Sequence, residues 1–133
     1  MKRIVTYLLV MLGMVTACSH ENHDDVDVKT FAELIADTNV VVLDVRSVDE
    51  FNEGHIGGAI NIDVKKDDFV EKSKATLPVS KLIAVYCRSG RRSVNAFDKL
   101  TAEGYKVVNL KGGIMAWISE ERPIIKSQKP AAE

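Results

Sequence analysis

The sequence contains little cysteine and no excess of charge of one sign. Only Cys18 and Cys87 occur among its 133 residues, which excludes a disulfide-rich scaffold and an oxidoreductase of the C-x-x-C type. The formal net charge is -1, so charge gives no reason to expect nucleic-acid binding. Hydrophobic residues make up 46% and charged residues 28%, which is typical of one small globular domain with tails.

The chain also lacks an apolar run long enough to span a bilayer comfortably. Its longest run, residues 4–15, follows the basic head Met1-Lys2-Arg3 and predicts an export signal over residues 1–17. The ending Val15-Thr16-Ala17-Cys18 resembles the lipobox of bacterial lipoproteins. That resemblance implies lipidation of Cys18 and a location in the bacterial cell envelope, anchored by lipid and facing the periplasm or extracellular space. An ordinary signal peptide with a chance cysteine is the alternative.

The segment after Cys18 is polar and acidic and has no apolar periodicity. Residues 18–27 are therefore predicted to form a lipid-anchored flexible tether. His20 and His23 lie there beside acidic residues and could bind a metal loosely, but a solvated linker is the favoured interpretation. The globular domain is predicted over residues 28–122, followed by a polar tail over 123–133.

One stretch concentrates reactive and cationic groups: Cys87-Arg88-Ser89-Gly90-Arg91-Arg92-Ser93. It follows the apolar run Leu82–Tyr86 and precedes a segment with helical spacing, a pattern that predicts strand, tight loop and helix. Backbone N–H groups of such a loop and the helix dipole favour a thiolate, and the arginines attract an anion to the same place. Because an arginine-rich loop is a poor place to bury sulfur, we interpret Cys87 as a reactive thiol in an anion-binding loop and not as a small buried hydrophobe.

Apolar strands alternate with helical patterns along the rest of the domain. Thr30 and Ser47 are expected to be N-caps of two capping boxes. The alternation predicts an α/β fold with a parallel sheet covered by helices on both faces, and sites in such sheets form beyond the carboxyl ends of the strands. Strands are predicted at residues 40–43, 59–62, 82–86 and 106–110, and helices at 30–37, 48–51, 67–72, 91–103 and after Gly112.

Three motifs in order resemble rhodanese-like domains, and together they cover most of residues 28–118. They are Asp44-Val45-Arg46 with Glu50-Phe51 and residues 54–62, then residues 86–93, then residues 104–113 with Trp117. The resemblance implies a three-layer domain whose central, mostly parallel sheet is flanked by helices. It also implies a single-domain sulfurtransferase in which the Cys87 thiolate takes a sulfane sulfur from a donor such as thiosulfate. The resulting persulfide would pass its outer sulfur to cyanide or a thiol.

The other site residues receive supporting roles. Asp44 and Arg46 are expected to form an ion pair or hydrogen bonds that hold neighbouring loops, His55 to pack or hydrogen-bond in its turn, and Trp117 to fill the core. No cofactor and no metal are expected. The expected partners are a small anionic sulfur donor, a thiol or cyanide acceptor, and the membrane through Cys18; no nucleic acid is expected, and the protein is expected to be a monomer. Residues expected to bind the donor and the persulfide are Arg88, Ser89, Gly90, Arg91, Arg92 and Ser93, and the sequence leaves open which arginine contacts the donor.

Two alternatives remain at this point. A cysteine-dependent phosphatase or arsenate reductase has an arginine six positions after its cysteine, but that position here is Ser93. The loop from Cys87 through Arg92 is also shorter than the phosphatase loops of this fold. A non-enzymatic persulfide carrier or binding module would keep the cysteine and lack turnover.

Overall fold

The computed structural model describes residues 24–127, which form one five-stranded parallel sheet with helices on both faces. The predicted signal peptide, Cys18, the first part of the tether, and residues 128–133 lie outside the described residues. The strands are β1 (Asp25–Val26), β2 (Val40–Asp44), β3 (Ile60–Asn61), β4 (Leu82–Tyr86) and β5 (Val107–Leu110), and the helices are α1 (Val28–Ile35), α2 (Val48–Glu53), α3 (Phe69–Thr76), α4 (Arg91–Ala102) and α5 (Gly113–Ser119).

Alternate residues of the central strands pack on opposite faces of the sheet, as the two-residue period of a strand requires. Leu43 and Val85 pack with α3 and α4, whereas Val42 and Ala84 pack with α1 and α5. Both faces are therefore buried under helices. This confirms the predicted three-layer α/β fold and explains the uninterrupted apolar runs of β2 and β4.

One of the two predicted helix caps is confirmed and the other is wrong. Ser47 and Glu50 form the expected capping box at the start of α2. At α1, Asp27 is the N-cap, because its side chain accepts a hydrogen bond from the Thr30 N–H at 2.9 Å. The helix therefore starts at Val28, which buries both Val28 and Phe31 against the sheet.

The folded domain is longer at both ends than the predicted 28–122. Asp25 and Val26 pair with β5, so the tether prediction is wrong for residues 25–27. At the other end, Ile125 forms an antiparallel bridge with His55, and the Trp117 indole N–H donates to the Pro123 carbonyl at 2.8 Å. The tail prediction is therefore wrong for residues 123–127. No helix within the described part of the chain is both long and apolar enough to traverse a bilayer.

The strand order β1-β5-β4-β2-β3 places a crevice at the middle of the sheet. From β2 the chain continues outward to β3, then crosses back to β4 on the other side of β2 and continues to β5. The direction of winding thus reverses between β2 and β4, and ligands of open α/β sheets bind outside the carboxyl ends of the strands at this reversal. Asp44 ends β2 and Cys87 follows β4, so both lie at this position.

Candidate active site

Cys87 is the first residue after the central strand β4, and its side chain lies at the base of the loop that leads into α4. The residue is 1% exposed and packs with the core beneath α4. Its Sγ accepts a hydrogen bond from the Gly90 N–H at 3.0 Å. The expectation that an arginine-rich loop would not bury the sulfur was wrong, because Arg88 and Arg91 are exposed and leave the base of the loop to the core.

The surroundings of the sulfur favour its ionised form. Burial raises the pKa of the Cys87 thiol, but hydrogen bonds from the Ser93 hydroxyl and from the N–H groups of Ser93, Gly90 and Ser89 outweigh burial and leave that pKa below its ordinary value. The Ser93 side chain is fully buried, and its hydroxyl also lies 3.2 Å from the Gly90 carbonyl oxygen, which competes with Sγ for the one hydroxyl proton. A buried thiolate held by several N–H and O–H donors is a stabilised and desolvated nucleophile.

The loop keeps this conformation because α5 binds its carbonyl groups. The Ile114 N–H donates to the Cys87 carbonyl at 2.9 Å, and the Met115 N–H donates to the Arg88 carbonyl at 3.1 Å. Gly113 makes this approach possible, since a Cβ there would lie 2.4 Å from the Arg88 carbonyl oxygen. With these two carbonyls bound to α5, the N–H groups of the following residues are free to surround the sulfur.

The three arginines of the loop occupy different environments. Arg88 and Arg91 are exposed, and neither forms an ion pair with another residue in the range 24–127. Arg92 is partly buried and donates to both oxygens of Glu50, at 2.8 and 2.9 Å. Arg88 and Arg91 thus present positive charge to solvent, whereas the charge of Arg92 is matched by a carboxylate.

Asp44 and Arg46 form the predicted ion pair. The Arg46 guanidinium contacts the Asp44 carboxylate at 2.6 Å and donates to the Gly54 carbonyl at 2.7 Å. Both residues are buried, at 0% and 5% exposure. The pair ties the end of β2 to the turn after α2, which is the supporting role expected of it.

The predictions for His55 and Trp117 are also confirmed. The His55 ring stacks on Phe51 with a centroid distance of 3.8 Å, and its Nδ1 lies 3.0 Å from the Phe51 carbonyl oxygen. Trp117 is 4% exposed and packs edge-on against Phe31. Neither residue lies in the loop that surrounds Cys87.

Sequence reasoning missed two contacts of the site. The Tyr86 hydroxyl accepts from the Ile56 N–H at 3.0 Å, and burial followed by the charge of Asp44 raises the pKa of that phenol, so it stays protonated. The Glu50–Arg92 pair joins residues 42 positions apart. A tyrosine directly before the cysteine and a glutamate at N3 of α2 were visible signals, but nothing in the sequence assigned their partners.

A cleft of about 200 Å³ opens beside the loop, next to Arg88. Glu50, Glu53 and Gly54 line one part of it. Its apolar lining comes from α5 and the segment after it, and consists of Ile114, Met115, Ile118 and Ile124. A molecule that approaches Arg88 from this side therefore meets apolar side chains as well as charge.

Fold and loop together define a parallel α/β protein with a buried cysteine of lowered pKa in the loop at the carboxyl end of its central strand. Residues 27–120 match the family model of the rhodanese-like domain. The chain belongs to the rhodanese-like domain family.

Curated relatives and solved structures agree with this assignment. A protein named sulfurtransferase from Allochromatium vinosum is 32% identical over 104 residues, covering 77% of this chain and 94% of the relative. Thiosulfate sulfurtransferase 18 of Arabidopsis thaliana is 39% identical over 103 residues, covering 68% of this chain and 76% of the relative. The crystal structure of a rhodanese-related protein from Thermoplasma volcanium superposes with a TM-score of 0.68 at 35% identity, covering 76% of this chain and 96% of that one.

Proposed function

We propose that the protein is a sulfurtransferase that carries a sulfane sulfur on Cys87 as a persulfide. The observation that carries the proposal is the Gly90 N–H, which donates to Sγ at 3.0 Å, in a loop where the N–H groups of Ser89 and Ser93 also lower the pKa of the thiol. Such donors stabilise the attacking thiolate and the anionic terminal sulfur of a persulfide alike. The sulfurtransferase names of the relatives support the same reaction class.

In the first step the Cys87 thiolate attacks the outer sulfur of a thiosulfate-like donor. A new S–S bond forms to Cys87, the S–S bond of thiosulfate breaks, and its electron pair leaves with sulfite. Reactants and products both carry three negative charges, and no proton moves. The nucleophile needs no adjacent base, because the loop already lowers the pKa of the thiol.

In the second step cyanide or a thiolate attacks the terminal sulfur of the persulfide. The S–S bond to Cys87 breaks, the Cys87 thiolate is regenerated, and thiocyanate or a new persulfide leaves. The buried hydrogen-bond donors stabilise Cys87 as the leaving group for the same reason that they stabilise it as the nucleophile. Each transferred sulfur atom is therefore bound to Cys87 between leaving its donor and reaching its acceptor.

Arg88 and Arg91 are proposed to attract the donor. Both are exposed and without an acidic partner in residues 24–127, so their charge acts on ions in solution. Thiosulfate is a dianion and sulfite leaves as an anion, so positive charge at this position favours arrival and bond cleavage. Ser89 takes part through its backbone N–H, and its side chain is exposed.

The loop lacks the arginine with which a phosphatase or arsenate reductase would bind its oxyanion. The position six residues after the cysteine is Ser93, which is fully buried and hydrogen-bonds to the loop itself. Arg92, one position earlier, is bound to Glu50. No arginine is thus placed to grip a tetrahedral oxyanion from the end of the loop.

We further propose that the protein is exported, that Cys18 is lipidated, and that the domain works as a monomer in the bacterial cell envelope. The lipobox-like ending at residues 15–18 supports this location. Replacing Cys18 by Ser is expected to move the protein from the membrane fraction to the soluble envelope fraction. An unchanged membrane fraction would remove Cys18 as the anchor.

The persulfide is tested by intact mass on the chain carrying Cys18→Ser, in which Cys87 is the only thiol. Thiosulfate is expected to add one sulfur atom, and cyanide to remove it with release of thiocyanate. The matched protein that also carries Cys87→Ser is expected to fold and to gain no sulfur. Sulfur loading without catalytic turnover would instead indicate a persulfide carrier, and no loading of a folded protein with a free Cys87 thiol would refute the mechanism.

A further inference from the structure

We infer that Glu50 sets the affinity of the loop for oxyanions, because its carboxylate occupies the guanidinium of Arg92 that an oxyanion would otherwise bind. Glu50 is thus a specificity-determining residue that acts through Arg92. For thiosulfate as the substrate the inference rests on the proposed function. For a simple oxyanion such as sulfate it rests on geometry alone.

The contact between the two side chains is bidentate. Glu50 Oε1 lies 2.8 Å from Nη1 of Arg92, and Oε2 lies 2.9 Å from Nη2. Two oxygens of a sulfonate or sulfate would use the same pair of N–H groups in the same parallel arrangement. The carboxylate and an external oxyanion therefore compete for this pair of donors on Arg92.

Glu50 is held in position from its other side. It is the N3 residue of the α2 capping box, where its Oε1 accepts from the Ser47 N–H at 3.2 Å and from the Ser47 hydroxyl at 3.0 Å. The hydrogen bonds from Arg92 have the largest effect on the pKa of Glu50, which is lowered to about 2. The carboxylate is therefore ionised and fixed on Arg92 throughout the neutral range.

Arg92 is close enough to the reacting sulfur for this competition to matter. It lies in the first turn of α4, directly after the loop that begins at Cys87, and the Glu50 side chain that it binds lines the cleft next to Arg88. The side chains of Arg92 and Glu50 are 22% and 28% exposed, so ions from solvent reach the pair. With Glu50 in place, the unmatched positive charge at the loop belongs to Arg88 and Arg91.

The test compares Glu50→Gln with Glu71→Gln. Glutamine keeps an acceptor for the capping box but not the charge that holds Arg92. Glu71 lies in the first turn of α3, as Glu50 does in α2, but it is exposed, does not line the cleft, and forms no ion pair among the residues of the described range. Glu50→Gln is expected to lower the KM for thiosulfate about fivefold, whereas Glu71→Gln leaves it near the wild-type value.

Arg92→Ala distinguishes competition from a structural role. This change leaves the Glu50 carboxylate unmatched beside the loop, where it repels a dianion, so the KM for thiosulfate is expected to rise. Opposite shifts in KM for Glu50→Gln and Arg92→Ala are the signature of the competition. A pair that merely braces the loop would raise KM, or lower kcat, in both variants.

A second readout needs no sulfur transfer. Thermal unfolding is measured in sodium sulfate and in sodium chloride at equal ionic strength, so that the general stabilising effect of sulfate cancels between variants. The rise in Tm that sulfate causes is expected to be larger in Glu50→Gln than in the wild type and in Glu71→Gln. An equal rise in Tm in all three proteins would overturn the inference even if thiosulfate is turned over. A larger rise in Tm in Glu50→Gln would uphold the inference even if no turnover is found.

Discussion

The N–H of Gly90 lies 3.0 Å from the Sγ of Cys87, and it reaches that position because Gly90 has a left-handed backbone conformation with φ of +110°. A residue with a Cβ disfavours this conformation. A Cβ at position 90 would approach only the Gly112 nitrogen, at 3.7 Å, so space does not forbid a side chain. The conformation itself is what requires glycine.

Gly90→Ala is therefore expected to raise the pKa of the Cys87 thiol toward its ordinary value, because the N–H donor turns away from the sulfur. The pH dependence of Cys87 alkylation, measured in the Cys18→Ser background, reports this shift. Gly104→Ala is the control, since Gly104 has φ of +93° in open space and imposes a similar backbone cost away from the site. An alkylation profile that does not move in Gly90→Ala would remove Gly90 from the stabilisation of the thiolate.

Gly113→Ala is expected to displace the loop. The added Cβ would lie 2.4 Å from the Arg88 carbonyl oxygen and 2.6 Å from that of Cys87, and both are backbone atoms that cannot move alone. We expect a loss of roughly 1–3 kcal/mol in the free energy of unfolding and a large loss of sulfur loading. Gly58→Ala, at φ of +82° with no atom within 4 Å of the added Cβ, is expected to retain loading. Urea denaturation and intact mass measure the two effects.

Replacement of Arg88 or Arg91 by Ala is expected to raise the KM for thiosulfate roughly threefold to tenfold with little change in stability. Each change removes an exposed charge that attracts the dianion, and the effect should shrink as salt is added. Lys99→Ala, at the far end of α4, is the control for the loss of one positive charge. If the KM values of Arg88→Ala and Lys99→Ala agree, Arg88 has no role in donor binding.

The Glu50–Arg92 ion pair gives the stability of the domain a pH dependence with a definite sign. The pKa of Glu50 is about 2 in the folded protein and 4.5 without these contacts, so the pair contributes stability above pH 4.5 and loses it as the pH falls toward 2. Because the pair is partly exposed, we expect about 1 kcal/mol at pH 7. The difference in unfolding free energy between wild type and Glu50→Gln should shrink between pH 5 and pH 3, whereas the difference for Glu71→Gln should stay small throughout. A difference for Glu50→Gln that does not change with pH would refute the assignment.

The parts of the site that the sequence predicted are those fixed by neighbouring residues. Asp44 and Arg46 are two positions apart, and the Ser47–Glu50 box spans one helical turn, so local geometry determines both contacts. The strand, loop and helix around Cys87 follow from hydrophobic periodicity and from Gly90. Each of these features depends on residues that are close together in the sequence.

The parts that escaped prediction depend on how distant segments meet. Arg92 contacts Glu50, 42 positions away in the sequence, and Tyr86 contacts Ile56, 30 positions away. Both contacts exist only because β2 and β4 are neighbours in the sheet. The strand order also decides that Cys87 is buried, since it places the residue between two covered strands. Even the start of α1 was decided by burial, because Asp27 and Thr30 are both acceptable caps and only a start at Val28 buries Val28 and Phe31.

Strand β1 limits how far the domain can move from a lipid anchor. Because Asp25 and Val26 belong to the sheet, only residues 19–24 separate Cys18 from it. Six residues span at most about 20–22 Å even when fully extended. If Cys18 is lipidated, the domain stays within about one domain diameter of the bilayer, and acceptors for its sulfur are restricted to molecules that come to the membrane surface.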